Sequence, residues 1–199
     1  MNYFPLFMNV QGCEIFLCGS HALEKLPVLR PFGVGITLFC DSVPQELTDE
    51  YQMEIVSRPM TESDLGRRPA FVVTAQSEEE DRRIAELCRE QNIPVNAVDR
   101  PALCSFIFPS LITRDNLCVA ISTGGASPAA AVELKHRVEA LLPEEMDAIL
   151  DWACTKRAEI YEQVPHRRLA RELVCRSVRC AMEKGRPLTE EEMNGLSTL

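Results

Sequence analysis

The chain has 199 residues, 46% of them hydrophobic and 26% charged, which fits one α/β domain with an appendage and argues against disorder. A net charge of −9 argues against nucleic acid as the main partner, because phosphate binding needs a surplus of Lys and Arg. No apolar run approaches the roughly 18 residues of a membrane span, so no membrane partner is expected.

The elements follow in chain order. MNYFPLFMNV lacks a basic segment and a small-residue cleavage site, so it does not read as a signal peptide. Glu14–Cys18 (EIFLC) is a short apolar run, followed by Gly19 and a helix-like stretch with Leu23, Leu26 and Leu29. Ile36–Cys40 (ITLFC) is a second run and ends at Asp41; Glu54–Ser57 is a weaker strand candidate and Ala70–Ala75 (AFVVTA) a strong one. Between Glu78 and Gln91, Ile84, Leu87 and Cys88 recur at helical spacing among charges, which predicts an amphipathic helix. Pro94–Val98 (PVNAV) and Leu117–Ser122 (LCVAIS) are further strands. Strands alternating with helices imply parallel βαβ units and a doubly wound sheet. After Pro143 two helical stretches follow with no strand signal, and the last dozen residues are expected to fray.

In such sheets ligands sit beyond the carboxyl ends of the strands. The residues in view are therefore Gly19–Ala22, Asp41–Pro44, Ala75–Ser77, Asp99–Pro101 and Ser122–Gly125. The stretch Ile121–Pro128 (ISTGGASP) closes an apolar run and opens a helix. One reading makes Ser127 a helix cap with Pro128 at the first helical position. Another makes the small residues an anion site, where backbone N–H groups meet a ligand at a helix N-terminus.

Nine cysteines, at 13, 18, 40, 88, 104, 118, 154, 175 and 180, stand singly with no Cys-x-x-Cys pair, mostly in apolar runs. They read as small hydrophobes in a reduced, cytoplasmic protein, with no metal site.

Two motifs carry a family resemblance. The segment from Asp99 to Pro109 reads Asp-x-Pro-x-x-x-Ser-Phe-x-x-Pro, and Ser122 to Pro128 reads Ser-x-Gly-Gly-x-Ser-Pro. With MNYFPLFMNVQGCEIFLCG before them and RVEALLP after, residues 1–143 resemble the precorrin-2 dehydrogenase family, which includes the dehydrogenase–ferrochelatase part of siroheme synthase. The resemblance implies NAD-dependent oxidation of precorrin-2 to sirohydrochlorin, followed in some members by iron insertion. It also implies a Rossmann-like domain (residues 1–112), a dimerisation segment (113–142) that makes a homodimer, and a helical C-terminal domain (143–199).

Asp99 occupies the position of the family's essential aspartate, and Thr123 one that in some members is a phosphorylatable serine near the tetrapyrrole. The oxidation removes a hydride and a proton, and a carboxylate at a strand end can accept the proton. NAD is expected over Gly19, Ser20, His21, Ala22 and Leu23, near Asp41, Ser42 and Val43, with Thr74 and Ala75 beside it. The tetrapyrrole carries eight carboxylates; Ser122, Thr123, Gly124, Gly125 and Ser127 offer it hydroxyls and N–H groups, and Arg167 and Arg168 offer charge.

The cofactor loop departs from the family pattern. Where the family has Gly-Gly-Gly-x-Val-Ala, this chain has Gly19-Ser20-His21-Ala22-Leu23-Glu24, and Ala75-Gln76 replaces Thr-Asp. His21 would crowd the pyrophosphate, and Pro27 and Pro31 interrupt the helix that should face it. Three readings stay open: an active dehydrogenase, a tetrapyrrole-binding chelatase or carrier without redox activity, and a non-catalytic partner subunit.

Overall fold

The computed structural model describes residues 3–41 and 52–197. The chain divides into two compact units, one reaching Pro109 and including Gly124–Ala126, the other comprising Ser110–Thr123 and the residues from Ser127 onward.

The first unit is built on a five-stranded parallel sheet: β1 (Glu14–Cys18), β2 (Gly35–Phe39), β3 (Glu54–Val56), β4 (Phe71–Thr74) and β5 (Val95–Ala97), in the order β3-β2-β1-β4-β5. This is the doubly wound arrangement that the alternating pattern predicts, and the Rossmann-like domain that the family resemblance implies. In β1 the side chains alternate between two cores, as strand pleating requires. Ile15 and Leu17 join Leu26, Leu29, Leu38 and Val73 on one face. Phe16 and Cys18 join Phe39, Met60, Val72, Ile84 and Cys88 on the other. Both faces are covered, which is why these strands are near-continuous apolar runs. Burial pushes up the thiols of Cys18 and Cys88, the latter to about 12, so they pack as hydrophobes. Among the described residues, which hold all nine cysteines, no disulfide forms.

The connection from β1 to β2 departs from a regular crossover helix. A 3₁₀ segment over Ser20–Lys25 leads into a single α turn, α1 (Leu26–Leu29), and a second 3₁₀ turn over Arg30–Phe32. Pro27 and Pro31 stand near the starts of the last two pieces, where a missing N–H is tolerated, and so divide the helix. The connection from β4 to β5 is regular: α2 (Glu78–Glu90) is capped by Ser77, whose hydroxyl accepts the Glu80 N–H at 3.3 Å. It buries Ile84, Ala85 and Cys88.

In the second unit β6 (Ser110–Thr113) and β7 (Cys118–Ile121) form an antiparallel hairpin. The expected strand at Leu117–Ser122 is thus present but pairs apart from the parallel sheet, with a partner the alternation pattern did not reveal. Four helices follow: α3 (Pro128–Leu141), α4 (Met146–Gln163), α5 (Arg167–Lys184) and α6 (Glu190–Ser197). The expected fraying of the last dozen residues is corrected for the described ones, 188–197. Leu188 and Met193 are buried in the helical core, and Glu192 joins Arg186 and accepts the Thr189 N–H at 2.8 Å while Thr189 caps the Glu192 N–H. That reciprocal capping starts α6, and the core holds it. No helix among the described residues is long and apolar enough to cross a membrane.

Candidate functional site

The chain leaves β1 at Gly19 with φ +90°, and the Gly19 N–H donates to the Phe39 carbonyl at 2.9 Å. A Cβ at this position would stand 2.7 Å from the Ala75 oxygen and 2.6 Å from Gln76 Cγ. Only glycine satisfies both the left-handed backbone and the missing space.

Beyond Gly19 a cleft of about 350 Å³ opens at the carboxyl ends of four strands. Gly19, Ser20 and His21 line it after β1, Phe39, Cys40 and Asp41 at the end of β2, Arg58 and Pro59 after β3, and Ala75 and Gln76 after β4. The Ser20 and His21 N–H groups precede the first bond of the 3₁₀ segment, from the Ala22 N–H to the Gly19 carbonyl at 3.1 Å, and are the donors that a helix start leaves over. Arg58 is held at the rim by two 2.7 Å bonds to Asp64, with its guanidinium 5.8 Å from the Phe39 ring centre.

Asp99 stands two residues past β5, exposed, with φ +59°. The turn is closed by the Arg100 N–H on the Ala97 carbonyl at 3.1 Å. Aspartate tolerates this left-handed region better than most residues, yet it remains an uncommon conformation and marks a held position. The rest of its motif explains the holding. Pro101 starts a 3₁₀ turn, and Ser105 ties back to β5 by accepting the Val95 N–H at 2.8 Å. Phe106 and Phe108 pack edge-on against Phe71. The Cys104 thiol accepts the Ala97 N–H at 3.2 Å and reaches the Arg100 carbonyl at 3.4 Å.

A buried carboxylate connects these loops. Asp81, fully buried in the first turn of α2, accepts the Thr74 hydroxyl at 2.5 Å and the Gln76 N–H at 3.0 Å through one oxygen. Its other oxygen pairs with the Arg100 guanidinium.

In the second unit, the Ser127 hydroxyl caps α3 by accepting the Ala130 N–H at 3.2 Å, with Pro128 at the first helical position. Thr123 donates its hydroxyl to the Ser127 carbonyl at 2.9 Å and accepts the Ser127 N–H at 3.1 Å. Gly124 and Gly125, which belong to the first unit, both take positive φ, 63° and 86°. Arg167 and Arg168 are exposed in the first turn of α5.

Of the expected cofactor residues, the structure brings together Gly19, Ser20, His21, Asp41 and Ala75. Ala22 is buried in the core, Leu23 is packed against it, and Thr74 is buried with its hydroxyl on Asp81. Ser42 and Val43 lie outside the described residues. Arg58, Pro59 and Gln76 line the cleft without having been singled out as cofactor positions, and Asp81 was not singled out at all. Gln76 follows β4 directly and was legible by position; the other three carry no local signal. Among the described residues no group of three His, Cys, Asp or Glu side chains is placed to hold a metal.

Comparison with known proteins agrees with this geometry. A family model described as "Putative NAD(P)-binding" matches residues 6–110. A siroheme synthase of Thioalkalivibrio sulfidiphilus is 32% identical over 176 residues, covering 86% of this chain and 36% of that protein. One from Tolumonas auensis is 33% identical over 168 residues, covering 82% and 36%. The chain thus spans just over a third of the length of the curated relatives it matches. Among solved structures, the precorrin-2 dehydrogenase SirC is similar in fold, with a TM-score of 0.68 at 18% identity over 98% of each chain. The resemblance carried by the two motifs is borne out in these relatives, and over more than half its length the chain belongs to the NAD(P)-binding family that the matching model describes.

Proposed function

We propose that the chain is an NAD-dependent dehydrogenase that oxidises precorrin-2 to sirohydrochlorin. The observation that carries this reading lies in the first unit: a glycine-floored cleft at the carboxyl ends of β1, β2, β3 and β4, with Asp99 held in a left-handed turn at the end of β5. The similarity to siroheme synthases and to a precorrin-2 dehydrogenase points the same way.

The residues that line the cleft fit the cofactor. The space that a Cβ on Gly19 would fill is closed by Ala75 and Gln76, so the backbone itself forms the cleft floor. The Ser20 and His21 N–H groups suit the phosphates, and Asp41 suits ribose hydroxyls. Bound there, NAD supplies the acceptor for the substrate's hydride. Asp99 takes the accompanying proton on a carboxylate oxygen, and its exposure lets substrate reach it. Arg167 and Arg168 meet substrate carboxylates, as do the Ser122–Ser127 backbone and hydroxyls. Two arginines in a first turn oppose the helix macrodipole, and an anion joining them would relieve that opposition.

We also read the active species as a homodimer joined through residues 113–142, because α3 leaves Val132, Leu134 and Leu141 exposed. A reducing, cytoplasmic setting suits nine cysteines without a disulfide.

One observation favours a second reading, tetrapyrrole binding as a chelatase or carrier without redox turnover. The cleft faces a 3₁₀ segment carrying His21 where a regular helix start would present more N–H groups and leave more room. A single experiment separates the two. Calorimetric titration with NAD, followed by an assay of NADH formed with precorrin-2, should show binding and turnover. Tetrapyrrole binding without NAD binding at millimolar concentration would establish the second reading instead.

A further inference from the structure

We infer that Asp81 is a positioning residue for the reaction proposed above, one buried carboxylate that sets both the loop carrying Gln76 into the cofactor cleft and the turn carrying Asp99. The inference rests on the dehydrogenase reading. Four acidic residues begin α2, and Glu78 and Glu79 are exposed as a solvated first turn would be. Asp81 is fully buried. A carboxylate withdrawn from water is costly unless several donors meet it, and here three do. Those donors are not scattered. Thr74 ends β4, Gln76 lines the cleft with its Cγ against the Gly19 backbone, and Arg100 directly follows Asp99.

The oxygens divide the work. One holds the β4 loop through Thr74 and Gln76; the other holds the β5 turn through Arg100. A substitution that alters one oxygen at a time therefore separates the two loops. In Asp81→Asn the amide oxygen still accepts from Thr74 and Gln76, while its NH₂ group confronts the Arg100 guanidinium, donor against donor. Only the Asp99 turn is released. In Asp81→Ala both loops are released.

The test measures amide hydrogen exchange of the ligand-free protein and then kinetics with NAD and precorrin-2. In Asp81→Asn, the hydrogen-bonded amides of the turn within 98–103, Arg100 and Leu103, should exchange about tenfold faster or more while the Gln76 amide keeps its protection. The NAD Kd should be unchanged and kcat should fall about ten- to a hundredfold, because misplacing a reacting group harms turnover more than binding. In Asp81→Ala the Gln76 amide should also speed up and the NAD Kd should rise about tenfold. Arg100→Gln, altered at a partly exposed residue that leaves the core intact, should reproduce Asp81→Asn, and the double variant should lose nothing further. Unchanged exchange at residues 100 and 103 in Asp81→Asn and Arg100→Gln would overturn the inference. So would a lowered Tm with kcat and Kd intact, which is what a purely structural role produces. A parent that neither binds NAD nor turns over would instead remove the dehydrogenase reading, and the exchange comparison would still decide what Asp81 holds.

Discussion

Gln76 Cγ lies 2.6 Å from the point where a Cβ on Gly19 would stand, so the residue after β1 and the loop after β4 occupy adjoining space at the cleft floor. The contact joins two strand ends that are neighbours in the sheet and 57 positions apart in the chain, as the numbering shows. It makes the narrowness of the floor a property of two loops at once.

Gly19→Ala should therefore harm both stability and cofactor binding. The added methyl meets backbone at 2.7 Å, and φ +90° is strained for any side chain. A loss of about 1–3 kcal/mol is expected in urea unfolding, with NAD affinity reduced about tenfold or more. Ser20→Ala, one position on, should leave stability unchanged. Equal unfolding midpoints for Gly19→Ala and the parent would contradict this account of the floor.

Asp99→Asn tests the base without disturbing its turn, because asparagine is also at home at positive φ. Turnover should fall about 10²- to 10⁴-fold, with tetrapyrrole affinity and thermal midpoint close to the parent's. Stopped-flow formation of NADH provides the rate. Full activity in this variant would remove Asp99 from catalysis.

Acid should weaken the rim of the cleft. The Arg58 guanidinium beside Asp64, helped by the Thr61 N–H and hydroxyl, holds the Asp64 carboxyl well below the usual carboxylate range. A folded-state value below the unfolded one stabilises the fold above the ordinary aspartate value of about 4, and that contribution is lost as pH falls further. Urea midpoints should accordingly drop below about pH 4 in the parent. Asp64→Asn should be less stable than the parent at neutral pH and lose less on acidification. Parallel pH profiles for the two proteins would show that the pair contributes nothing.

To test the proposed homodimer, Leu134→Arg with Leu141→Arg places two charges on the exposed side of α3, where the wild-type residues are 45% and 81% exposed. Sedimentation should shift from dimer to monomer mass while circular dichroism keeps its helical signal. A parent that sediments as a monomer at every concentration would refute the assembly.

The sequence by itself determined the parallel sheet and its strand ends. Strands buried on both faces must be apolar throughout, so EIFLC, ITLFC and AFVVTA were visible without tertiary knowledge. Gly19, Asp41 and Ala75 could be placed at one edge because parallel strands point their carboxyl ends the same way. Pro27 and Pro31 marked where the first crossover would break, since proline acts locally. Tertiary structure decided what depends on distant partners. Strand β6 pairs with β7 only once the hairpin closes, and its four residues SLIT carry no period of their own. Arg58 reaches the cleft because Asp64 and the Phe39 ring hold it there. Asp81 carries no local signal that sets it apart from the three acids before it, because burial of the fourth acid in a row follows from where α2 lands on β4 and β5. Local chemistry writes periodicity, caps and breaks into a sequence; which carboxylate ends in the core is set by packing between segments that the chain brings together only on folding.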